Sequence, residues 1–173
     1  MAVNILRKGS KMIDITQTGL NISEKLASMV RVMNGQPEHE SDPLALISNA
    51  TAIMAAYLED INWIGFYILR NDELVLGPFQ GKPACSRIKV GEGVCGTSIK
   101  DGKTLIVADV DDFAGHIACD SASRSELVVP IFHNERAIAV LDCDSPSLDR
   151  FSEAEARAFE EIVEVLAKYV AAL

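Results

Sequence analysis

Residues 125–144 read SELVVPIFHNERAIAVLDCD, and this stretch decides the fold. Two apolar runs, 125–132 and 136–144, flank His133-Asn134-Glu135, a short polar break of the kind that turns one strand back on the next. Strands joined that closely pair antiparallel. The second run is apolar from Ala137 to Leu141 and then ends in Asp142, Cys143 and Asp144. Side chains alternate along a strand, so the two aspartates share a face and Cys143 points to the other. Counted from the turn, both come within a few residues of pairing with Glu126. Three carboxyls gathered at one sheet end raise the pKa of at least one member. Such a group can hold a cation and keep a proton to donate. The plainer alternative is three solvated acids at a strand end in an acidic chain.

Working outward, residues 61–69 are rich in Ile, Trp, Phe and Tyr and read as a strand. Asn71-Asp72 signals a turn, and Leu74–Phe79 is the return strand. In the first of these, Trp63, Gly65, Tyr67 and Leu69 share a face. A short strand near Ser86–Lys89, a short helix over Val94–Lys100 and a strand over 104–108 follow. Upstream, Ile22, Leu26, Met29, Val30 and Met33 recur at helical spacing, closed by Asn34-Gly35 and Pro37. A second helix opens with Asp42 as N-cap and Pro43 at its first position. The last helix starts at Ser152, with Glu155 completing a capping box. Helices at both ends and hairpin-linked strands between them predict an α+β fold: a mostly antiparallel central sheet with N- and C-terminal helices packed on one face. Residues 1–20 show no clear period and read as an N-terminal arm; 21–173 form one domain.

The chain has 173 residues, 49% hydrophobic and 24% charged, with a formal charge of −9. That sign argues against a nucleic-acid partner, whose phosphates need a basic face. No apolar run is long enough to span a membrane, and no signal peptide is legible, so the expected location is cytoplasmic. Structural disulfides are rare in that reducing compartment. The four cysteines, Cys85, Cys95, Cys119 and Cys143, are therefore either buried thiols or redox groups. No CxxC occurs and the three histidines form no HxxxH array, which argues against a zinc site. Residues 109–124 are the longest irregular stretch inside the domain, and long loops are often functional. They hold Gly115, His116 and Cys119, seven residues before Glu126. A loop thiol there can share a cleft with Glu126, and His116 can stabilise its thiolate. Cys85 and Cys95 flank the other irregular stretch and are candidates for clearing a sulfenic acid formed on Cys119.

Several stretches taken together resemble free methionine-(R)-sulfoxide reductases, which are single GAF domains. They are Asn62-Trp63-Ile64-Gly65-Phe66-Tyr67, Gly77-Pro78-Phe79-Gln80-Gly81, Cys85 with Arg87-Ile88, Gly91-Glu92-Gly93-Val94-Cys95-Gly96, Gly115-His116-Ile117-Ala118-Cys119-Asp120, Ser123-Arg124-Ser125-Glu126 and Leu141-Asp142-Cys143-Asp144-Ser145. The resemblance implies that Cys119 is the nucleophile, Cys85 the principal resolving cysteine and Cys95 an additional one. It implies that Glu126, Asp142 and Asp144 bind substrate, with Trp63 and Tyr67 as the aromatic wall of the pocket. Backbone amides around 115–119 would receive the substrate carboxylate. Cys143 stands where an aliphatic residue is expected and reads as packing. The implied activity is thiol-dependent reduction of free methionine-(R)-sulfoxide through a sulfenic acid and an intramolecular disulfide. No cofactor or metal is implied. A thioredoxin-like reductant and a homodimer are, and the R preference comes from the resemblance alone. The alternatives are a sensory GAF module for a small ligand and a thiol redox sensor.

Overall fold

The computed structural model describes residues 19–117 and 120–173. Most of the expected N-terminal arm, and Cys119, lie outside the described residues. The elements run α1 (Ile22–Gly35), α2 (Pro43–Tyr57), β1 (Trp63–Arg70), β2 (Glu73–Gly81), β3 (Arg87–Lys89), α3 (Gly93–Asp101), β4 (Leu105–Val107), β5 (Ser125–His133), β6 (Arg136–Ser145) and α4 (Glu153–Val170). Short 3-10 turns occupy 36–38 and 110–112, inside stretches that read as irregular in the sequence. The six strands form one sheet in the order β3-β2-β1-β6-β5-β4, and every neighbouring pair is antiparallel.

Local chemistry explains the boundaries. Asn21 and Ser152 accept from the backbone N–H three residues on, and Glu24 and Glu155 reach back to complete capping boxes. Asp42 caps α2 by accepting from the Ala45 N–H, with Pro43 in the first turn. The β1–β2 and β5–β6 hairpins turn on Asn71-Asp72 and Asn134-Glu135, all four with positive φ. That is the two-residue turn whose twist matches the flanking strands.

Alternation sorts the sheet into two faces. Helices α1, α2 and α4 cover Ile64, Phe66, Leu127, Val129, Ile131, Leu141 and Cys143. The other face carries Trp63, Tyr67, Leu74, Val128 and Val140, packed against Val94, Cys95 and Ile99 of α3. Cys143 is thus core packing on the helical side, away from the aspartates.

Two irregularities set the register. Along β5–β6, His133 pairs with Arg136 and Phe132 with Ala137, but Ile131 pairs with Ala139. Ile138 is the extra residue of a β-bulge, and consecutive Ile138 and Ala139 both pack toward the helices. Past this bulge Glu126 lies directly opposite Asp144, and Val128 opposite Asp142. Without the extra residue Glu126 would face Cys143. On β2 a register shift falls across Gly77-Pro78, opposite Gly65–Tyr67, so Pro78 sits where the ladder is already broken.

Gly65 is required by close approach. A Cβ there would sit inside contact distance of the Phe79 and Trp63 side chains. Gly65→Ala is expected to lower stability by about 1–3 kcal/mol through overpacking. A shift of the denaturant midpoint checks this, and an unchanged midpoint would show that the aromatic stack yields freely.

Candidate active site

The sheet end shared by β5 and β6 meets the first turn of α3, and the three elements bring four titratable groups together. Glu126 and Asp142 are each 6% exposed and Cys95 is 3% exposed. Asp144 is half-buried beside them. The Cys95 thiol donates to Glu126 Oε1 at 3.8 Å. One ligand-type atom from each of Cys95, Glu126 and Asp142 lies within 4.8 Å of the others. Asp142 Oδ1 is buried and has no hydrogen-bond partner among the described residues.

Burial with no basic partner among the described residues moves every group toward its neutral form. Desolvation pushes the Glu126 carboxyl well above the usual range, and the charges of Asp142 and Asp144 push it further. Asp144 is raised by burial and by Asp142, opposed by a hydrogen bond from Ser123. Asp142 is raised by burial to about 6, held back by the neighbouring Cys95 thiol and Glu126 carboxyl. The Cys95 thiol is pushed up by burial and by Asp142 and Glu126, so it stays protonated. Protons in such a cluster belong to the set, and Asp142 is the member that yields one most readily. At neutral pH the three carboxyls therefore combine a negative charge with retained protons.

A cavity of about 30 Å³ opens onto this group. Cys95, Glu126, Asp142 and Asp144 form one side, and His116, Asp120 and Ser123 come from the 109–124 loop. That volume admits a water or two, so an amino acid must widen the cleft to enter. Cys119 lies outside the described residues, but Ile117 and Asp120 on either side of residues 118–119 both line the cavity.

The loop is fastened to β1 by residues that carried no site expectation. The Asn62 side chain donates to Ser123 Oγ at 3.0 Å and to Asp120 Oδ2 at 3.3 Å. Asp120 also accepts from the Ala122 N–H and pairs with Lys82 at 3.4 Å. Lys82 links this loop to the segment that carries Cys85. No periodicity marks these four; Asn62, Asp120 and Ser123 stand inside the quoted stretches, and Lys82 lies one residue past one of them.

Trp63 and Tyr67 lie buried beneath the pocket, at 2% and 1% exposure. Trp63 stacks between Tyr67 and Phe79, with centroids 5.7 and 5.4 Å away. The Trp63 indole N–H donates to the Lys82 carbonyl at 3.2 Å, and the Tyr67 hydroxyl donates to the Cys85 carbonyl at 3.0 Å. Burial and the neighbouring acids raise the Tyr67 phenol, so it remains a donor. The aromatic stack therefore anchors the 82–85 segment from below. Cys85 is disulfide-bonded, whereas Cys95 and Cys143 are free thiols. Cys95 sits in α3, where the helix expected over Val94–Lys100 places it, and lies against the acids.

The GAF domain family model matches residues 42–172. A free methionine-R-sulfoxide reductase of Escherichia coli is 44% identical over 152 residues, covering 88% of this chain and 92% of its own. The chain belongs to the free methionine-R-sulfoxide reductase family of GAF domains. A yeast member from Saccharomyces cerevisiae is 38% identical over 161 residues, covering 88% of this chain and 87% of its own. The free methionine-R-sulfoxide reductase of Neisseria meningitidis, solved in complex with its substrate, superposes on this GAF domain with a TM-score of 0.88 at 38% identity, over 93% of this chain and 97% of that one. No described helix is long and apolar enough to cross a membrane.

Proposed function

We propose that the protein reduces free methionine-(R)-sulfoxide to methionine, with Cys119 as nucleophile. The observation that carries this reading is the uncompensated carboxyl cluster of Glu126, Asp142 and Asp144, roofed by the segment on either side of Cys119. The α-ammonium of the substrate supplies the missing positive charge, held chiefly by ionised Asp142. Glu126 or Asp144, kept protonated by burial, supplies the proton that the sulfoxide oxygen needs. The Cys119 thiolate attacks the sulfoxide sulfur, methionine leaves, and oxygen stays on Cys119 as a sulfenic acid. Cys85, whose segment the Tyr67 and Trp63 bonds hold in place, condenses with it. Water departs and a Cys85–Cys119 disulfide forms. The disulfide-bonded state of Cys85 supports this pairing. A thioredoxin-like dithiol then returns both thiols by exchange. Cys95 serves as an additional thiol against the substrate pocket, and a homodimer is the assembly that fits the family.

A substrate lacking the ammonium leaves Asp142 unpaired in a dry site. N-acetyl methionine sulfoxide is therefore expected to lose at least about a hundredfold in kcat/KM. Equal turnover of the acetylated and free substrates would remove the role of the acids in recognition.

A further inference from the structure

We propose that Cys95, Glu126 and Asp142 form a site for a thiophilic divalent cation such as Zn2+. Their ligand atoms lie within 4.8 Å of one another, and all three residues are more than nine-tenths buried. The 3.8 Å from Cys95 Sγ to Glu126 Oε1 is close to the ~3.6 Å edge expected for a tetrahedral ion with Zn–S near 2.3 Å and Zn–O near 2.1 Å. Asp142 lines the cavity, and its buried Oδ1 has no hydrogen-bond partner among the described residues, so the cluster holds an acceptor that an ion would satisfy. No Lys or Arg is among the described residues that line the cavity, and the nearby Lys82 pairs with Asp120 rather than with Glu126 or Asp142. The cavity is roomy enough for an ion and a water at its open position.

One thiolate with two carboxylates suits Zn2+, Co2+ or Cd2+ better than Mg2+ or Ca2+, which prefer all-oxygen shells. Binding expels the thiol proton and any remaining carboxyl proton to solvent, with no change of oxidation state. No ligand-spacing motif announces the site because its residues come from α3, β5 and β6. The inference shares a pocket with the proposed reductase, yet coordination by Cys95 needs no turnover.

Co2+ titration of the protein with Cys85 in its disulfide leaves only Cys95 and Cys143 as described free thiols. One Co2+ per chain is expected, with thiolate-to-cobalt charge transfer and the intense visible bands of a four-coordinate ion. Cys95→Ser is expected to lose the charge-transfer band, and Asp142→Asn to weaken affinity at least tenfold. Cys143→Ser, altered on the helical face, keeps both band and affinity. Absence of the band in the parent, or its survival in Cys95→Ser, overturns the site. A chain that shows the Cys95-dependent band without reductase activity upholds this site and removes the reductase reading. An active reductase without the band does the reverse.

Discussion

Cys119→Ser is expected to abolish turnover of free methionine-(R)-sulfoxide, lowering kcat by about ten-thousandfold or more. A serine hydroxyl is a far weaker nucleophile than a thiolate, and it cannot store the transferred oxygen as a sulfenic acid. The substitution removes one sulfur and leaves the carboxyl cluster and both cores as they are, so the fold should persist. Thiol counting supplies an independent reading. The sequence holds four cysteines, two of which, Cys95 and Cys143, are free. If Cys119 is the partner of Cys85, the denatured variant should label at three cysteines where the disulfide-containing parent labels at two. Unimpaired turnover by Cys119→Ser would remove the central assignment, and a variant still labelling at two would remove the pairing.

The second large effect links activity to stability. Asp142→Asn is expected to lower kcat/KM by about a hundred- to a thousandfold, because a buried ammonium loses its charged partner. The same substitution should stabilise the fold at pH 8. Asp142 titrates near 4 in an unfolded chain and near 6 in the folded one, and Glu126 and Asp144 are raised further. The folded state thus binds more protons, so stability falls as pH rises through the window from about 4 to about 6 for Asp142, and beyond it for its neighbours. For Asp142 alone the loss is roughly 3 kcal/mol once the group is ionised. Asparagine has no proton to lose, and its neutrality also relieves the repulsion that raises Glu126 and Asp144. The variant should therefore exceed the parent by about 2–4 kcal/mol at pH 8, with the gap closing toward pH 4. Denaturant midpoints at the two pH values measure it. A variant less stable than the parent at pH 8 would mean that the acids are compensated in the folded chain.

The fold was legible wherever chemistry is local. Asn71-Asp72 and Asn134-Glu135 mark both hairpins, Asp42-Pro43 and Ser152 with Glu155 mark helix starts, and alternation in Trp63–Arg70 and, past the bulge, in Ala139–Asp144 assigns each side chain to its face. Parity placed Asp142 with Asp144 and turned Cys143 away. The relation of Glu126 to them was legible only as proximity. A bulge at Ile138 fixes the direct Glu126–Asp144 pairing, and an extra residue in a strand leaves no mark in an apolar run that reads Ala137-Ile138-Ala139-Val140. Cys95 falls inside the helix expected over Val94–Lys100, but that expectation does not say which surface the helix meets. Its burial depends on α3 docking against β5 and β6, a contact between distant segments. The anchoring of loops through Asn62, Lys82, Asp120 and Ser123 was hidden for the same reason: each bond joins residues whose spacing in the chain carries no period.

The most direct test of the account is to offer the protein each diastereomer of free methionine sulfoxide with a thioredoxin system and follow reductant consumption. The account predicts rapid consumption with the R form, little with the S form, and one methionine released per disulfide reduced. No consumption with either diastereomer, in protein whose Cys85 disulfide the system does reduce, would contradict it.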